Sequence, residues 1–242
     1  MLWPSVKRPR SRTTNMLPLS GMPAVLPVAA APTDETAKRI ALLVAVFTSF
    51  GAYHLLNVPR ESLHLMATAF DRSLPLIPAF SVPYLLYFPY LFFTAGDGIL
   101  RSAEWKRVGL SILLVQLIAC AIYAAFQSYV PRPDVTGTDI FSTLLRFIYS
   151  SDRPYNTFPS LHTAHSVVSL YWWRRLYPRW FGAATALTAL ILLATVFLKQ
   201  HVVVDVASGI VLAAAGIAIS ERVFPKKEKA APAKSGAAIS GT

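Results

Sequence analysis

Residues 108–125 read VGLSILLVQLIACAIYAA, a run without a single Asp, Glu, Lys or Arg, with Lys106 and Arg107 just ahead of it. A helix rising 1.5 Å per residue needs about 20 mostly apolar residues to cross roughly 30 Å of hydrocarbon, so this block reads as a membrane span. It is one of several: apolar blocks of about 16 to 24 residues recur along the chain, each close to the length a span requires. They place helices at about 39–58, 79–96, 108–130, 160–176, 180–198 and 201–221. Of the 242 residues 54% are apolar and 14% charged, where a soluble domain carries roughly 25% charged. The expected fold class is all-α: a polytopic membrane protein built as a six-transmembrane-helix bundle.

Outside the bundle the composition shifts. Residues 1–36 carry Lys7, Arg8, Arg10 and Arg12 and then a stretch of Pro and Ala without period, which predicts a disordered basic N-terminal arm. A signal peptide is not expected, because the first long apolar block begins late and no cleavage site follows it. The membrane domain is expected over 37–223, and residues 224–242 form a second basic tail without apolar residues to bury. Asp71, Arg72 and two prolines interrupt Leu63 to Pro78, so an interfacial helix is expected there rather than a seventh span.

The net charge of +11 does not point to nucleic acid, because the basic residues stand at the ends of apolar blocks rather than on an amphipathic face. They act as topology signals. With the N-terminus cytoplasmic, seventeen Lys and Arg fall on inside segments and six on outside segments, so both termini are expected in the cytoplasm. Cys120 is the single cysteine and lies inside an apolar run, which rules out an intrachain disulfide and a cysteine metal cluster. No internal repeat of the transporter kind is visible.

Unusual polar residues collect on the outside face. They lie in Val130-Pro131-Arg132-Pro133, in Asn156-Thr157-Phe158-Pro159-Ser160-Leu161-His162, and in Lys199-Gln200-His201-Val202-Val203-Val204-Asp205. The 39 residues from His162 to His201 suffice for one helix inward and one back, so both histidines reach the same membrane level. His201 and Asp205, spaced i, i+4 on one helix face, predict a carboxylate that accepts a hydrogen bond from one ring nitrogen and leaves the other free as an acceptor or nucleophile. Ser160 is expected to cap a helix whose free N–H groups favour an anion, with His162 in its first turn as proton donor. Arg132, between two prolines, and Lys199 add fixed positive charge for a phosphate. These parts suit phosphoryl transfer.

The three segments resemble the signature regions of the type-2 phosphatidic acid phosphatase superfamily, most closely its branch related to inositol phosphorylceramide synthases and inositol phosphotransferases, over about residues 80–220. The pair FPSLH and, 39 residues on, H-x-x-x-D carries the resemblance. It implies a six-helix phosphatase or phosphotransferase core in which His201 attacks phosphorus to give a phosphohistidine. Asp205 then matches the orienting partner, His162 the acid that protonates the leaving alcohol, and Arg132 and Ser160 the phosphate holders. Ala125 stands where the family pattern has a lysine, Leu161 where it usually has glycine, and Ala194-Thr195 where it usually has Ser-Arg; Lys199 or Arg153 is expected to supply the missing cation. Leu161 resembles the inositol-transferring branch.

Other polar residues are read more plainly. His165 lacks a third ligand that would make a metal site with His162 and is assigned to packing or to a supporting position. His54 and His64 are read as interfacial, Trp172, Trp173 and Tyr177 as a membrane-interface belt, and Arg146 and Asp152 as solvating their loop. The expected activity is metal-independent transfer from a lipid phosphate or diphosphate, without cofactor, to water or to an alcohol such as inositol. The partners are membrane lipids and not nucleic acid, the site is extracytoplasmic, and the setting is a multi-pass protein of a bacterial inner membrane. The alternative is a transporter or channel-like protein using the same cluster as a binding site, disfavoured because no run of charge passes through the span centres.

Overall fold

The computed structural model describes residues 33–226, which are mostly helical. The helices are α1 (Asp34–Leu56), α2 (Ala69–Ser73), α3 (Ser81–Leu100), α4 (Trp105–Ala125), α5 (Ile140–Ser151), α6 (Leu161–Leu176), α7 (Phe181–Phe197) and α8 (Val203–Val223). The expectations for the arm and for most of the basic tail lie outside the described residues.

Among the described residues, four helices are long and apolar enough to cross a membrane: α1, α4, α7 with its preceding turn, and α8. Of the remaining two long helices, α3 is largely apolar but carries three tyrosines, two prolines and Asp97, whereas α6 is polar for a reason visible in the packing. Helix α6 touches α3, α4, α7 and α8, and half its residues are buried, among them His165, Ser166, Ser169 and Trp172. A helix surrounded by other helices can carry polar groups that a lipid-facing one cannot. Helix α3 buries Tyr84, Tyr87 and Tyr90 on one side while Val82, Leu86 and Phe93 stay exposed. Trp172 is not part of an interface belt: it is fully buried and its indole N–H donates to Ser111 Oγ at 2.9 Å.

Two elements differ from the sequence reading. Leu63 to Pro78 holds the five-residue α2, a two-residue strand, β1 (His64–Leu65), paired in parallel with β2 (Ser128–Tyr129), and the first residue of a 3-10 turn at Pro78–Phe80. Thr68 and Asp71 cap α2 reciprocally, but Pro75 and Pro78 bar a longer helix. The loop after α4 contains α5, which starts at the cap Asp139 and buries Ser142, Leu145 and Ile148 along one stripe. Residues 126–130, expected to extend the third span, leave the helix, and Ser128–Tyr129 among them form β2.

The long helices alternate in direction, so segments 57–80, 126–139, 152–160 and 198–202 gather at one end of the bundle. There they are tied together by β1–β2, by the Tyr129–Tyr155 bridge and by Val130 N–H donating to Pro154 O at 3.1 Å.

Candidate active site

His201 is placed by the end of α7. The Thr195 carbonyl accepts from the backbone N–H groups of Gln200 at 2.9 Å and His201 at 3.0 Å, and the chain reverses through Lys199, whose φ of 53° is left-handed. Helix α8 begins only at Val203, because the Asp205 carboxylate accepts from Val202 N–H at 3.0 Å and closes the first turn. His201 therefore precedes the helix rather than sharing a face with Asp205. Its Nδ1 lies 2.9 Å from the Thr157 carbonyl and 3.4 Å from Asp205 Oδ2. A carbonyl only accepts, so Nδ1 carries the proton and the lone pair rests on Nε2. The chief orienting partner is the Thr157 backbone, and Asp205 adds negative charge behind the ring.

His162 reaches the same place from α6. Ser160 caps that helix through a 3.3 Å bond from Thr163 N–H to its hydroxyl, and its own N–H donates to Asp205 O at 3.0 Å, joining the starts of α6 and α8. Gly209 lets the helices touch: a Cβ there would stand 2.6 Å from the Ser160 carbonyl oxygen. The His162 ring packs on Tyr84 and Tyr87, at 4.5 and 4.3 Å between centroids, and lies 5.8 Å from the His201 ring. His162 Nε2 has no hydrogen-bond partner. His165, one turn on, is fully buried and bonded through Nδ1 to the Tyr87 hydroxyl at 2.9 Å.

Arg132 is held by neutral acceptors only. Its Nη1 donates to Asp152 O at 2.6 Å and to Tyr149 O at 3.3 Å, Nη2 donates to Gln200 Oε1, and the guanidinium stacks on the Tyr149 ring at 4.6 Å. No described carboxylate forms an ion pair with it, so its charge is available to an anion. Lys199 is likewise bonded to carbonyls, those of Asp71 at 2.8 Å and Leu74 at 2.6 Å, which ties the α2 segment over the site. Burial pulls its ammonium below the ordinary lysine range, against the pull of Asp71. Burial also acts against ionisation of Asp71, but hydrogen bonds from Thr68 and from Val203 N–H outweigh it and hold that carboxyl below the usual range.

Two cavities meet at His201. One, of 510 Å³, is lined by aromatic and aliphatic side chains including Phe50, Tyr84 and Phe88, and has His162, His201 and Asp152 in its wall. The other, of 330 Å³, is lined by Arg72, Arg132, Lys199, Asp71 and His201. The structure thus brings together His201, His162, Asp205 and Arg132, with Lys199 at the edge. Ser160 is fully buried with its hydroxyl spent on the cap, so what it can offer a phosphate is the free start of α6. Arg153 is exposed and lines neither cavity, because the extended backbone at Asp152 turns alternate side chains in and out. Sequence reasoning missed Arg72, Thr157 and Asp152; it also left His54 at the interface, whereas His54 lines the larger cavity.

Thr195 offers no cation where the family pattern has arginine; it is buried with its hydroxyl on Leu192 O at 2.7 Å. No curated protein and no solved structure matches the chain. A family model described as PAP2 superfamily matches residues 104–229, more than half of the chain and the part that contributes His162, His201, Asp205 and Arg132. The chain belongs to the PAP2 superfamily.

Proposed function

We propose that this protein is a metal-independent lipid phosphate phosphatase or phosphotransferase, acting through a phosphohistidine on the extracytoplasmic face of a membrane crossed by six helices. The observation that carries the proposal is the place of His201, with Nδ1 held by a carbonyl, Nε2 free, and the ring in the wall between an aromatic cavity and a cationic one. The phosphate sits with Arg132, Arg72 and Lys199 at the start of α6, and the alcohol part lies in the aromatic cavity. His201 Nε2 attacks phosphorus as the bond to the leaving oxygen breaks, and protonated His162 gives that oxygen its proton. Water or an alcohol such as inositol then loses a proton to His162 and attacks phosphorus, the P–N bond breaks, and neutral His201 returns. Asp205 at 3.4 Å from Nδ1 stabilises the positive ring of the intermediate.

Both termini lie in the cytoplasm in this reading, α3 is a largely apolar span, and α6 is the span that burial inside the bundle allows to be polar. The test is phosphate release by the purified full chain from long-chain phosphomonoesters and diphosphates in chelator, with and without added inositol. Release from any of them, or transfer to inositol, supports the reading. No turnover, together with substrate movement across proteoliposomes, would replace it with the transporter.

A further inference from the structure

The larger cavity holds a charge that the reaction above does not use. Asp152 is the one carboxylate lining it, in a wall that is mostly apolar and aromatic, with the two histidines of the reaction, His54 and the neutral polar groups of Gln116, Ser151 and Asn156. Its Oδ1 accepts from the Tyr53 hydroxyl at 2.8 Å and from Asn57 Nδ2 at 2.7 Å, two neutral donors from the end of α1. Neither bond involves Oδ2, and no described Lys or Arg forms an ion pair with the carboxylate. Arg132 bonds the backbone oxygen of this residue and not the side chain. Burial pushes the Asp152 carboxyl above the usual range, while the Tyr53 hydrogen bond and the charge of Arg132 draw it back. An ionised carboxylate with spare acceptor capacity in an apolar cavity is costly unless something binds there.

We infer that Asp152 is a specificity residue: it accepts a hydrogen bond from a hydroxyl or ammonium group carried by the alcohol part of the substrate, close to the phosphorylated carbon. The inference rests on the phosphoryl-transfer reading of His201. Asp152 lines the aromatic cavity and not the cationic one, where the carboxylate present, Asp71, has both oxygens taken up by Val203 N–H and by Thr68. Arg72, Arg132 and Lys199 line the other cavity, across the His201 ring. What reaches Asp152 is therefore the organic side of the ester, and because His162 and His201 share the same wall, the donor group must lie near the bond being broken. Tyr53 and Asn57 hold Oδ1, which leaves Oδ2 to meet the ligand. Aromatic neighbours such as Tyr53 and Phe50 favour an ammonium as well as an apolar chain.

The experiment uses the purified full chain in detergent and three alkyl phosphates of one chain length, with a 2-amino group, a 2-hydroxyl group or no substituent. Asp152→Asn keeps the shape and removes the charge. It is expected to lower kcat/KM on the amino or hydroxy substrate, or on both, by on the order of 10- to 100-fold, the effect of losing a hydrogen bond to a charged group. On the plain alkyl phosphate the change should stay within about threefold, well inside that effect. A loss confined to the amine assigns an ammonium ligand, and one confined to the alcohol a hydroxyl. Tyr53→Phe frees one anchor while keeping the charge and should show a smaller loss with the same selectivity, so a poorly folding Asp152→Asn does not end the test. Parallel losses on all three substrates, or none on any, overturn the inference while leaving the reaction standing. A wild-type protein that cleaves none of the three but cleaves a diphosphate of the earlier test overturns the role of Asp152 alone, and one that cleaves no phosphate ester at all overturns the reaction itself, and the role of Asp152 with it.

Discussion

Replacing Gly209 by alanine should damage the site from behind without touching a reacting group. The new Cβ would stand 2.6 Å from the Ser160 carbonyl oxygen and 2.9 Å from Thr163 Cβ, so α6 and α8 must part by about 0.4 to 0.8 Å to restore ordinary contact. The carbonyl cannot swing away, because the Ser160 N–H is held by Asp205 O and the Ser160 hydroxyl caps Thr163. Alanine gains up to about 1 kcal/mol of helix propensity, whereas overpacking costs about 1–3 kcal/mol. Net destabilisation by up to about 2 kcal/mol follows from setting those two against each other. The functional loss should be larger, since the displaced turn carries His162 and a misplacement of 1 Å can cost on the order of 10²-fold in rate; a fall of at least about tenfold in kcat/KM is expected. Gly216→Ala is the control. Its Cβ would meet Val115 Cγ2 at 2.9 Å, a clash with a side chain rather than a carbonyl and about 10 Å further along α8 at 1.5 Å per residue. It should lower the thermal midpoint and spare kcat/KM. If Gly209→Ala keeps wild-type activity, or both variants lose activity alike, the close approach of α6 and α8 does not set the geometry of the site.

Other outcomes follow from the same arrangement. His201→Ala should abolish turnover of every substrate, whereas His162→Ala should lose at least about 10² on a lipid phosphate and markedly less on p-nitrophenyl phosphate, whose leaving group needs no proton. Steady-state kinetics on both esters decides this, and equal losses for His162→Ala would deny it the acid role. Excess chelator should leave the rate unchanged, because Arg132 and the histidines supply the charge; loss of activity restored by Mg²⁺ would contradict the mechanism. Thr138→Cys, on the exposed loop before α5, should react with an impermeant thiol reagent in intact cells, against a low background from buried Cys120. Labelling only after lysis would invert the orientation.

The long helices were legible because a span must be apolar over a fixed length, and a window such as 108–125 has few other readings. Helix α5 was missed although its signals were present, a capping Asp139 and a stripe at Ser142, Leu145 and Ile148, because a twelve-residue amphipathic helix is weak beside six apolar blocks. The histidine pair was legible as two residues at one level, yet their surroundings were not. The partner of His201 is a backbone carbonyl, which leaves no mark in a sequence, and the i, i+4 spacing to Asp205 suggested a shared helix face where the carboxylate instead starts the helix. Asp152 looked like a loop residue because its burial depends on Tyr53 and Asn57, nearly a hundred positions earlier in the chain.

The polarity of α6 bears on how the chain enters a membrane. Each buried serine or histidine of that helix has to leave water before its neighbours can satisfy it, and its sixteen residues fall short of the roughly 20 that cross unaided. Helices α7 and α8, by contrast, are apolar enough to partition by themselves. If α6 is one of six spans, as proposed, the segment that carries His162 depends for its insertion on chain that is synthesised after it. Truncation beyond residue 180 should leave α6 outside the bilayer, and a disruptive charge placed in α7 or α8 should act first on the delivery of α6, before any folded site exists to inhibit.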